Sequence, residues 1–116
     1  MTGSAFSLSV AVPSPGFEII AGEPVIGGLH GLPQHNMCPR CMSWMFTRPH
    51  GMPELVNVRA TMLDDASWFE PFIEVFTNEK LAWATTPAVH RFATLPEVAS
   101  YPALLAEFAQ RSPRPS

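Results

Sequence analysis

Residues 6–12 alternate apolar and small or polar positions, with Phe6, Leu8, Val10 and Val12 on one side. Period two is the pattern of a half-buried strand, and Pro13, which has no N–H for a ladder, ends it. Residues 17–22 read as a second short strand running into a turn at Gly22-Glu23-Pro24, and the glycine-rich residues 25–32 as a loop or irregular strand. Residues 35–43 form a tight turn between two strands, the second of them 44–47, and 48–53 form another turn. Residues 55–61 alternate and are the clearest strand of the second half, followed by a chain reversal at 63–66. Residues 72–77 predict a further strand, with a turn at 78–79. One helix is expected within 95–110, where Pro102 suits a first turn and Leu104, Leu105 and Phe108 share a face.

Thirteen prolines and seven glycines in 116 residues cut the chain into pieces of strand length and argue against long helices. The expected class is therefore all-β, with one short C-terminal helix. With 47% apolar residues the chain can fill a core, so it is expected to fold as one domain over 1–111 with a polar tail at 112–116. Charged residues are only 15%, below the roughly 25% of ordinary soluble domains, which suggests a surface partly covered by a second subunit and hence a homo-oligomer. A net charge of −3 argues against nucleic acid as a partner. No run of about 18 apolar residues points to a membrane span, and the N-terminus has no basic secretory leader, so a cytoplasmic location is expected.

The candidate chemistry sits in Cys38-Pro39-Arg40-Cys41, which holds the chain's two cysteines. A C-x-x-C turn brings two sulfurs to one side of a loop, close enough to share a tetrahedral zinc, and the intervening proline stiffens it. Structural zinc needs four protein ligands, so the site is incomplete with these two alone. His35, three residues before Cys38, is a candidate third ligand; His30, His50 and His90 are further histidines that loop positions more often leave solvated. Two other readings of the pair stand: reduced structural thiols, and a redox pair, although redox motifs usually open a helix after a strand.

An ordered series carries a family resemblance: Gly3-Ser4-Ala5-Phe6, Gly22-Glu23-Pro24, Cys38-Pro-Arg-Cys41-Met-Ser-Trp44, Val58-Arg59-Ala60-Thr61-Met62-Leu63-Asp64-Asp65, then Pro71, Trp83 and Pro87. From about residue 2 to about residue 95 the chain resembles the glutathione-dependent formaldehyde-activating enzymes, a family that includes centromere protein V. The resemblance implies a zinc-binding β-tent of small antiparallel sheets. It implies a carbon–sulfur lyase that joins formaldehyde to the thiol of glutathione. It also implies a structural zinc shared between an N-terminal Cys-x-Cys and the later Cys-x-x-Cys, and a second, catalysis-associated zinc on cysteines just before the Gly-Ser-Ala-Phe strand.

Against that pattern, only Cys38 and Cys41 carry over as metal ligands, no catalytic residue can be assigned, and Met42 stands where the family usually has glycine. The domain is expected to lack the family's N-terminal strands, as a truncated or a degenerate relative. Two functions follow: an enzyme acting on a glutathione–aldehyde adduct, or a noncatalytic domain kept for packing or partner binding. The chain alone is expected to be inactive as an enzyme. Among the other marked residues, Trp44, Trp68 and Trp83 read as core or edge packing, with Trp44 covering the knuckle. Asp64 and Asp65 read as a hydrogen-bonded turn and the methionines as core filler. Arg48 and Arg59 read either as solvated strand ends or as attractors for the carboxylates of a glutathione-like ligand.

Overall fold

A computed structural model of the chain describes residues 2–111. They group into two compact units, one up to Asp64 and one from Asp65 onward. The tail expected at 112–116 lies outside the described residues.

The first unit is a five-stranded sheet in the order β1-β5-β4-β3-β2, made of β1 (Ser9–Pro13), β2 (Val25–Ile26), β3 (Gln34–Met37), β4 (Trp44–Arg48) and β5 (Leu55–Arg59). All four pairings are antiparallel. Pro13 closes β1 at the sheet edge, where its missing donor costs nothing. The alternation in β1 and β5 sends Val10, Val12, Val56 and Val58 to one face, and Val56 is fully buried. Phe46 of β4 pairs with Val58 and joins that face, with Phe17 packed on it at 4.9 Å between ring centroids. Gly27 continues β2 against β3, where a β-carbon would meet Met37 Cγ at 2.7 Å, so only glycine permits the approach.

The expected strand at 17–22 does not form. A 3₁₀ turn at Ser14–Gly16 precedes it, Phe17 is drawn to Phe46, and the adjacent Ile19 and Ile20 have no period-two pattern; Ile20 is 89% exposed. The strand expected over 55–61 stops at Arg59, and Ala60–Met62 turn into a 3₁₀ helix.

In the second unit, β6 (Ile73–Glu74) pairs with β7 (His90–Arg91) in parallel, against the antiparallel expectation. The long connection between these two-residue strands leaves room for the crossover that a parallel pair requires. β6 is shorter than the predicted 72–77 because Phe76 adopts a left-handed backbone, φ 55°, and begins a 3₁₀ turn. The helix α1 (Tyr101–Arg111) has Pro102 in its first turn. Phe108 packs on Phe72 with ring centroids 5.4 Å apart, but Leu105 is 52% exposed and lies off that face. Trp83, expected to pack, is 72% exposed. The all-β expectation with one short C-terminal helix thus holds in outline, and no helix among the described residues is long and apolar enough to cross a membrane.

Candidate functional site

The β3–β4 hairpin carries the cysteines on its loop. Cys38 N–H donates to the Ser43 carbonyl at 2.9 Å, and Met42 N–H donates to the Cys38 carbonyl at 2.8 Å, closing the loop on itself. The reversal requires Met42 to take φ 60°, the left-handed region that favours glycine. Cys38 is half-buried and Cys41 exposed, both as free thiols.

Cys41 Sγ lies 3.2 Å from Ser43 Oγ. The neutral thiol donates to that hydroxyl; once ionised, the sulfur accepts from it, since a hydroxyl rotates to serve either role. The Ser43 side chain, then its backbone N–H, then the Cys38 side chain favour the thiolate and lower the Cys41 pKa from the usual thiol value. Ser43, unmarked in the sequence beyond its place in the turn, is therefore the residue that tunes the exposed thiol. A Ser two positions after the second cysteine was its one visible signal.

His35 does not join this pair. Its Nδ1 lies 2.8 Å from Thr47 Oγ1, and that oxygen also accepts from Trp44 Nε1–H at 2.8 Å. The indole N–H can only donate, so the Thr47 hydroxyl either gives its proton to Nδ1 or accepts a second bond from Nδ1–H, according to the imidazole tautomer. Burial lowers the His35 pKa from the usual imidazole value. His35 is thus tied to Thr47 through Nδ1, away from the cysteine pair. No group of three or more His, Cys, Asp and Glu side chains able to hold a metal occurs among the described residues. The two sulfurs are half of a tetrahedral zinc site, and this donor set does not complete one.

A β-bulge explains what surrounds His35. The β3–β4 register shifts between Asn36 and Met37, so that Asn36 faces Phe46 while Met37 faces Trp44. The extra residue, Met45, turns Trp44 to the face opposite Phe46. Trp44 therefore lies with His35 and Thr47, and with Arg59 through the pairing of Thr47 with Asn57. Arg59 Cζ sits over the Trp44 ring, 4.2 Å from its centroid, and His35 meets the same ring edge-on at 5.2 Å. Trp44 thus contacts His35, Thr47 and Arg59. Arg59 is 9% exposed, which corrects the reading of it as a solvated strand end. Arg48 remains exposed, with Cζ 5.5 Å from the Phe46 centroid.

A cleft of about 340 Å³, with Gln34, Arg48 and His50 among its lining residues, opens at the other end of the hairpin. At about 3.4 Å per residue along β4, it is on the order of 15 Å from the thiols and outside their chemistry. Asp65 accepts from Ser67 N–H at 3.0 Å and from Ser67 Oγ at 2.6 Å, which is the turn expected there.

The model of the glutathione-dependent formaldehyde-activating enzyme family matches residues 1–79. The chain belongs to this family. The match spans the whole first unit, the cysteine loop and the Trp44–Arg59 face included, and ends short of Trp83 and Pro87, on which the resemblance had also been read. No curated protein gives a significant match to the chain.

Proposed function

We propose that this family member binds glutathione or its formaldehyde adduct on the first unit, and that its Cys38–Cys41 loop is a zinc-type knuckle rather than the catalytic centre of a carbon–sulfur lyase. The observation that carries this reading is the donor set. Two thiols share one loop, and no third metal-type ligand converges on them among the described residues. Zinc at the pair would fix the loop and hold both sulfurs as thiolates; it needs two further ligands, which a second copy of the chain can supply. Free thiols and a glutathione ligand both fit a cytoplasmic setting.

The exposed, acidified thiol of Cys41 favours a second reading in which the chain itself captures formaldehyde as a hemithioacetal. Adduct formation followed by NMR with glutathione and formaldehyde, with and without added zinc, separates the two. The expected result is saturable binding with no acceleration over the uncatalysed reaction. Saturable acceleration would overturn the first reading, and its loss in Cys41→Ser would establish the second. Absence of any binding would remove glutathione as the ligand.

A further inference from the structure

Arg59 is a buried cation without an anion. It ends β5, pairs with Ser9 of β1 and is 9% exposed, yet no carboxylate among the described residues lies within ion-pair distance of it. Its hydrogen bond runs from Nη1 to Ser9 Oγ at a long 3.4 Å. The Trp44 ring faces the guanidinium at 4.2 Å, which offsets part of the lost hydration by cation–π attraction but accepts no hydrogen bond in the guanidinium plane. Burial lowers the Arg59 pKa, the sign of a charge whose hydration is incompletely replaced.

A guanidinium has five N–H donors, and most of them lack a partner here. Yet no buried side-chain nitrogen among the described residues is without a hydrogen-bond partner. The remaining Arg59 nitrogens must therefore reach solvent, although the residue as a whole is covered. The Trp44 ring covers the guanidinium, Ser9 meets one nitrogen, and the remaining nitrogens are left for a solvent-borne acceptor. A planar carboxylate matches a guanidinium with two parallel bonds. Lys80, Arg91 and Arg111 are engaged with carboxylates in the second unit, and Arg48 lies over Phe17 and Phe46.

We propose that Arg59, held over Trp44, docks a carboxylate of the thiol-peptide ligand through its remaining nitrogens. The identity of that ligand rests on the function proposed above; the anion site does not. The bulge at Met45 is part of the device, because without it Trp44 would point to the opposite face. Thr47, which accepts from the indole Nε1–H, and His35, which shares that hydroxyl and meets the ring edge-on, hold the indole in place and are positioning residues.

The test observes the Nε–H resonance of Arg59 by NMR while three probes are added to the full chain: glutathione, glutathione with both carboxyls esterified, and N-acetylglycine. Glutathione is expected to shift the resonance saturably, N-acetylglycine to shift it more weakly, and the diester to bind at least tenfold more weakly than glutathione. Arg59→Gln should lose affinity for glutathione by the same factor, and Arg59→Lys should restore part of it. The ester comparison uses the unaltered chain, so it decides the matter even if the variants fold poorly. Equal affinity for glutathione and its diester, or no response of Arg59 to any probe, overturns the proposal. A response to N-acetylglycine but not to glutathione keeps the carboxylate site and removes the glutathione reading. Glutathione binding that leaves Arg59 unmoved does the reverse.

Discussion

Met42 donates its N–H to the Cys38 carbonyl at 2.8 Å while its own backbone stands at φ 60°. The bond closes the cysteine loop, and the conformation it demands is one that a β-carbon disfavours by roughly 1–2 kcal/mol. The side chain does not offset this by packing, since it is 58% exposed. Met42→Gly removes the strain but adds freedom to the unfolded chain, an opposing effect of about 0.5–1 kcal/mol. We predict a net stabilisation of up to about 1 kcal/mol in denaturant unfolding with an unchanged slope. A destabilisation of that size would mean that the methionine side chain holds the loop.

The Ser43 hydroxyl should control the reactivity of Cys41. Alkylation proceeds through the thiolate, so a pKa lowered by Ser43 raises the reactive fraction at neutral pH. Ser43→Ala is expected to slow alkylation of Cys41 by iodoacetamide at pH 7 and to shift the pH–rate curve upward. Above both pKa values the two proteins should react at similar rates, because each is then fully ionised. The sign for stability is the same: the folded pKa is the lower one, so any contribution of the thiolate is complete above the ordinary thiol range and fades as pH falls through the folded value. Curves that coincide throughout would show that the hydroxyl does not reach the sulfur.

Strands β1, β4 and β5 were legible from their apolar alternation and the turn residues that bound them, whereas β3 occupies residues 34–37, where a turn was expected from 35 onward. The cysteine loop was legible from its two sulfurs and proline. What the sequence did not display is the bulge: one extra residue at Met45 leaves no compositional mark, yet it decides that Trp44 meets Arg59 instead of joining Phe46. Arg59 therefore looked like the polar end of an alternating strand. The missing strand at 17–22 has a similar cause, since Phe17 satisfies itself against Phe46 without a ladder partner for its backbone. In the second unit the left-handed Phe76 shortened a strand that composition alone extended.

Glu74 should hold the second unit together. Its carboxylate accepts from Thr86 Oγ1 at 2.7 Å and faces Lys80 Nζ and Arg91 Nε, each at 3.2 Å, with only 12% of its side chain exposed. Thr86 first, then Lys80 and Arg91, keep its pKa below the usual carboxylate value. The folded pKa is thus the depressed one, and the carboxylate's contribution is present above the unfolded value of about 4.3 and lost as pH falls through the folded one. Glu74→Gln is expected to cost about 1–3 kcal/mol at pH 7, because the amide removes the charge facing two cations and turns one acceptor oxygen into a donor. The deficit should narrow in acid, where the wild-type carboxyl protonates too. A deficit independent of pH would assign the loss to packing instead.

Assembly and metal content should rise and fall together. Ile20, Leu29 and Leu32 of the first unit are 89%, 75% and 70% exposed, and β2 ends the sheet with an unpaired edge of only two residues. Apolar side chains beside an open strand edge favour a second chain over water. The cysteine loop has its own reason to pair, because two copies supply four sulfurs, the complete set for a tetrahedral zinc. We predict a homodimer by analytical ultracentrifugation, with about one zinc per two chains after reconstitution, as expected if each copy gives two ligands. Cys38→Ser should lower zinc content and weaken dimerisation together, whereas Leu29→Asp should weaken the dimer and lose zinc only as dimers dissociate on dilution. One zinc per chain in a monomer would show that ligands outside the described residues, or water, complete the site within a single copy. A monomer at high protein concentration with no zinc at any pH would remove the metal role of the pair and leave Cys38 and Cys41 as structural thiols.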